Sequence, residues 1–138
     1  MNYQNLVDII RNTATTVNPT GLFVHARRTD GSLEYDKTFP QIHLYPVRSE
    51  LELNNENIKH NIILMFWDQD RPETTNEERE AIIAAMDDLS NIFLFALNAN
   101  PNVSLSNILK TPEYRQLAAT ASGYGLSFTI SSKINCEL

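Results

Sequence analysis

His43 and His60 fall on two successive apolar stretches that read as the arms of a hairpin, and Asp68 and Asp70 lie two apart where the second arm ends. Cys136 is the chain's only cysteine. Each group could do chemistry, and spacing decides how much. The histidines form no His-x-x-x-His pair and no cysteine pair accompanies them, so polar and core roles are the simpler reading than zinc. Asp68 and Asp70 could share one divalent cation, which makes a metal-dependent enzyme centred on them the enzymatic alternative. A calcium loop, however, needs further oxygen ligands and a glycine at set positions, and the stretch Asp68-Gln69-Asp70-Arg71-Pro72-Glu73 supplies no glycine. A solvated turn accounts for it. No motif near Cys136 would lower its thiol pKa, so a buried, inert thiol is expected. The chain has no Gly-x-Ser-x-Gly elbow, and Gly123-Tyr124-Gly125 lacks the third glycine of a dinucleotide fingerprint. Tyr45, Phe66 and Trp67 could stack on bases, but no basic groove surrounds them and core packing explains them. The residues therefore point to no catalytic site, no metal site and no cofactor.

Bulk properties narrow the field further. A chain of 138 residues with 42% apolar and 20% charged residues is of a size and composition to fold as one domain around one core. Its formal charge of -6 opposes capture of a phosphate backbone, which depends on clustered Lys and Arg. A single cysteine allows no intrachain disulfide. The opening residues lack the basic start and apolar run of a secretory signal, and no stretch has the roughly 20 apolar residues needed to span a bilayer.

Those residues must be held by elements that the pattern predicts. Leu6, Val7, Ile9 and Ile10 give an amphipathic helix over about 3–16, ended at Asn18-Pro19. Leu22 to Ala26 reads as a strand, and Asp30-Gly31 as the turn of a small hairpin. The run from Phe39 to Val47 alternates between prolines, which places it at an edge or beside a bulge. Alternation resumes at Leu51 and Leu53, Asn54 to Asn57 is a polar loop, and Ile62 to Trp67 is apolar throughout, as in a central strand covered on both faces. Thr75 and Glu78 have capping-box spacing before a long helix over 76–98, whose stripe is Ile82, Met86, Leu89, Phe93 and Leu97. A helical turn over 104–109 and a short helix opened by Pro112 follow, with Gly123 and Gly125 permitting a bend. The final strand runs from Leu126 to Leu138. Leu126, Phe128, Ile130, Ile134, Cys136 and Leu138 occupy one face, and Ser127, Thr129, Ser131 and Lys133 the other. The expected fold is α+β, a single small domain (1–138) with a mainly antiparallel sheet of about four strands. The long helix covers one face of that sheet, and a short N-terminal helix precedes it.

The ordered set of elements carries a resemblance. A short helix leads to Phe39-Pro40-Gln41-Ile42-His43-Leu44-Tyr45-Pro46, then to the strand over 62–67 that runs into Asp68-Gln69-Asp70, the capped helix and the closing amphipathic strand. In this order the chain resembles the small tail-terminator, tail-completion and head-to-tail joining proteins of tailed bacteriophages. The Trp67-Asp68-Gln69-Asp70 turn, the helix from Glu77 to Leu89 and the ending Ser127-Phe128-Thr129-Ile130 are similar to structural proteins of phages of gut Bacteroidota, the crAss-like group included. The similarity spans nearly the whole chain.

The resemblance implies a non-enzymatic subunit, made in the host cytoplasm, that closes into a six- or twelve-fold ring in the virion neck or tail around the DNA channel. Its partners would be copies of itself, neighbouring portal, neck or tail proteins, and DNA passing without sequence-specific binding; no membrane is implied. In that setting Ser127, Thr129, Ser131 and Lys133 face the channel or a neighbouring ring. Asn54, Asn55, Glu56, Asn57, Asp68 and Asp70 belong to loops expected between subunits. The same elements also fit a monomeric protein-binding adaptor that uses an exposed strand edge for strand addition.

Overall fold

The computed structural model describes residues 2–25, 38–71, 73–115 and 121–133. Helix α1 spans Tyr3–Val17, and the Asn2 side chain accepts from Asn5 N at its start. Its buried residues are Leu6, Val7, Ile10 and Ala14, at helical spacing, and it ends where Pro19 biases Asn18 away from the helical region. Strand β1 is Leu22–His25, β2 is Gln41–Leu44 and β3 is Arg48–Glu52, followed by a single 3-10 turn at Leu53–Asn55. Strand β4 runs Asn57–Gln69, helix α2 Asn76–Asn98, strand β5 Ser104–Arg115 and strand β6 Ala121–Lys133.

β4 is the spine of the sheet. Along one edge it pairs antiparallel with β6 over its whole length, from Asn57 opposite Lys133 to Gln69 opposite Ala121. Along its other edge β2 and β3 follow one another, Gln41 opposite Trp67 and Arg48 opposite Asn61. β1 lies parallel to β2 at one side of the sheet and β5 antiparallel to β6 at the other. The sheet thus has the order β1-β2-β4-β6-β5, with β3 beside β4.

Side chains alternate across this sheet, and both helices take the same face of it. Ile42 and Leu44 of β2, Ile62, Leu64 and Phe66 of β4, and Leu126, Phe128 and Ile130 of β6 form one core with the apolar sides of α1 and α2. Phe66 and Phe93 meet edge to face at 5.7 Å between ring centres. On the opposite face a smaller cluster joins Tyr45, Met65, Trp67 and Ala121, with Phe39 against it.

The α+β expectation, the long helix and its place over the apolar face of the last strand agree with this architecture. The strand count does not, because the described residues form a sheet of six strands rather than about four. The helical turn expected over 104–109 and the short helix opened by Pro112 are instead the continuous strand β5. Its pairing with β6 outweighs the local helical preferences that Pro112 and Glu113 suggested. β6 starts at Ala121, so Gly123 and Gly125 lie inside the strand and not in a bend before it. β2 is interior, since Pro40 and Pro46 bracket it rather than interrupt it. The deepest isoleucine of α2 is Ile83, with Ile82 only partly buried. The Asp30-Gly31 hairpin and Ile134, Cys136 and Leu138 lie outside the described residues, as does the Lys133 side chain.

Candidate functional site

The aspartate pair separates at once. Asp68 is half-buried near the end of β4, where its Oδ1 accepts from Gln69 N. Asp70 is only 2% exposed, against the expectation of a solvated turn. Its Oδ2 accepts from Arg79 Nε at 2.7 Å and from the Ser122 hydroxyl at 2.6 Å, while Arg79 Nη2 reaches Oδ1 at 3.3 Å. Arg79, 7% exposed, also donates to the Thr74 carbonyl and to Asn76 Oδ1. Burial alone would raise the Asp70 carboxyl. Hydrogen bonds from Arg79, Ser122 and Thr74, together with the guanidinium charge, hold it below the ordinary carboxylate range instead. The arrangement ties the end of β4, the first turn of α2 and β6 at one point. Its carboxylate oxygens are occupied, so it is poorly suited to grip a cation. Removing either partner of such a buried pair leaves an uncompensated charge and typically costs about 3–5 kcal/mol.

In the sequence the run from Asn76 to Glu80 reads as a helix start that needs no partner. One residue in it points to a partner: Arg79 is a lone cation near the start of a helix, where the macrodipole favours anions, and an isolated unfavourable charge often has a partner. Thr75 does cap α2 as its spacing predicted, accepting from Glu78 N at 3.1 Å and donating to Glu78 Oε1 at 3.0 Å.

The histidines do not meet. His43 is opposite Met65, an odd number of positions along β4 from His60, so the two rings point to opposite faces. His43 donates from Nε2 to Gln41 Oε1 at 2.8 Å, and burial lowers its pKa to about 4. His60 shares a hydrogen bond with Ser49 Oγ through Nδ1, and burial lowers its pKa also. Among the described residues no group of three or more His, Cys, Asp and Glu side chains is placed to hold a metal ion. Tyr45 and Trp67 lie on the outer face and Phe66 in the helix-covered core, so the three form no shared platform.

The polar side of β6 is only partly open. Thr129 is buried, its hydroxyl donating to Asn61 Oδ1, whereas Ser127 and Ser131 are half-buried. Ser131 and Ser132 line an open cleft of about 760 Å³ with Asn5, Asp8 and Asn12 of α1. Asn54, Asn55 and Glu56 are exposed on the 3-10 turn and the residue after it, while Asn57 is half-buried as the first residue of β4.

What stands out on the surface is apolar. Phe95 is 78% exposed, Leu53 73% and Leu109 69%, with Leu51, Ile92, Ile63 and Ile108 also reaching solvent. All but Ile108 fall in three places. Leu53 opens the turn that carries Asn54 and Asn55, and Leu51 lies on β3 just before it. Ile92 and Phe95 stand on the outward side of α2. Ile63 and Leu109 rim a recess of about 200 Å³ on the outer face of the sheet. Scattered exposed apolar residues need no explanation, whereas large contiguous apolar patches mark interaction sites in general.

Among the described residues no helix is long and apolar enough to cross a membrane. No protein-family model matches the sequence, and no curated protein is significantly similar to it.

Proposed function

We propose that this protein is a non-enzymatic structural subunit that closes into a six- or twelve-fold ring in the neck or tail of a tailed phage virion, around the channel through which DNA passes. The observation that carries the assembly part is the set of large apolar side chains held out in solvent by a well-packed scaffold, Phe95, Leu53 and Leu109 foremost. Their separation supports a ring in particular. Head-to-tail contacts between unlike surfaces of identical subunits close into rings when the rotation permits. The virion setting rests on the resemblance of the ordered elements to tail-terminator, tail-completion and joining proteins. Asn54, Asn55 and Glu56, beside Leu51 and Leu53, are the proposed contact with a neighbouring ring of portal, neck or tail protein. Ser127 and Ser131 are the positions on β6 proposed to face the channel or that neighbour.

Electron microscopy and sedimentation of the protein, alone and mixed with the adjacent neck and tail proteins of its virion, test this reading. An annular particle is expected in at least the mixed sample; a monomer in both would sink it. A passing DNA must not be gripped, so tight, salt-sensitive binding of duplex DNA to the isolated protein would count against the channel role.

The adaptor reading has one observation in its favour: among the described strands, β1, β3 and β5 each pair on one side only, with β2, β4 and β6 respectively. Of these, the β5 edge is poorly fitted for strand addition. The register shifts between Ser106 and Leu109, Asn107 takes a left-handed conformation (φ 54°), and Pro112 lacks a donor.

A further inference from the structure

Between Asp88 and Lys110 the chain carries no charged residue, its longest such run, in a protein with a net charge of -6. The run forms the second half of α2, the turn after it and the first half of β5, and most of it is exposed. The stripe of α2 that contains Glu80, Asp87 and Asn91 turns toward β5. Glu80 accepts from the Tyr114 hydroxyl, and Asp87 and Asn91 both accept from Lys110 Nζ. Phe95 is the next residue of that stripe, one turn beyond Asn91, yet it is 78% exposed. Hydrogen bonds to β5 engage Glu80, Asp87 and Asn91, whereas Phe95 stands with Ile92 on the outward side of the helix.

A second feature matches it in size and charge. The recess on the outer face of the sheet has a volume of about 200 Å³ and is lined by Ile63, Met65, Leu109, Thr111, Gly125 and Ser127. Small-molecule sites usually enclose about 300–1,000 Å³, whereas an apolar cavity of about 150 Å³ holds one benzene ring. The one charged group at its rim, Glu113, is already engaged within the chain. Copies of an acidic protein repel one another, and a contact between surfaces that carry few charges adds least to that repulsion.

We infer that Phe95 of one copy seats in this recess of the next, making the head-to-tail contact of the ring. The inference rests on the ring reading and names the two surfaces that the ring would join. The knob lies on the helix layer and the hole on the opposite face of the sheet, so the contact is between unlike patches and leaves each subunit one of each for its neighbours.

One-sided variants test it under the conditions in which the wild-type protein assembles. Phe95→Glu removes the knob and Thr111→Arg obstructs the hole; both positions are exposed, and circular dichroism checks that each variant folds. Each variant alone is expected to sediment as a monomer. An equimolar mixture is expected to give a dimer and nothing larger, because one intact knob meets one intact hole. Rings that persist in Phe95→Glu, or variants that stay monomeric when mixed, would overturn this contact and leave the ring reading standing. A wild-type protein that is monomeric with and without its neighbours would remove both.

Discussion

His43 is 2% exposed, its Nε2 donating to Gln41 and its ring edge-on to Trp67, and burial lowers its pKa from 6.5 to about 4. Between those values the unfolded chain holds a proton that the folded chain does not. Stability from this residue is therefore fully present above pH 6.5 and is lost as pH falls toward 4. At about 1.4 kcal/mol per pH unit the loss comes to about 3 kcal/mol. Urea titrations near neutral pH and near pH 4 are expected to show this decline in the wild type and a clearly smaller one in His43→Gln. An unchanged decline in the variant would place the linkage elsewhere. His60, also lowered by burial, has the same sign. Neither histidine's environment was legible in the sequence. Both lie on alternating stretches, but which face each ring takes depends on register, and register is a property of the partner strand. The same holds for Asp70, whose partners Arg79 and Ser122 come from α2 and β6.

At the scale of elements, what could be read locally was read well and what depends on distant pairing was not. The cap at Thr75 and the period of the following stretch give α2 over Asn76–Asn98, and Asn18-Pro19 ends α1 within a residue of its predicted stop. β4 was recognisable from its apolar run, though the hydrogen-bonded strand extends to Asn57 and Gln69, where polar residues hide it. β5 was missed because Pro112 reads as a helix start. In an edge strand with one partner a missing N–H is tolerated, and the decision belongs to β6. Gly123 shows how close that pairing is. It sits opposite Trp67, and a Cβ placed on it would run into the carbonyl oxygen of Phe66, which is backbone and has little room to move. Gly123→Ala is thus expected to destabilise the fold by about 1–3 kcal/mol, as overpacking does, with faster amide exchange at Phe66 and Trp67. Full wild-type stability with unchanged exchange would mean that β4 and β6 are not so tightly apposed.

At the scale of the whole molecule, charge and apolar surface oppose each other. Every copy carries -6, so bringing copies together costs electrostatic work, while Phe95, Leu109 and their neighbours gain by leaving water. If the contact between copies is the uncharged one proposed above, salt acts only on the repulsive side. Between about 0.1 M and about 1 M salt the screening length falls from about 10 Å to about 3 Å, which removes most of the long-range repulsion and leaves apolar burial intact. Added sodium chloride is therefore expected to shift the monomer–ring equilibrium toward the ring, and sedimentation across that range at fixed protein concentration reads the shift directly. Contacts made by ion pairs would respond in the opposite sense, because the same screening weakens them. An assembly that dissociates as salt rises would assign the contact to charged surfaces, such as the strand bearing Arg48 and Glu50, and away from Phe95.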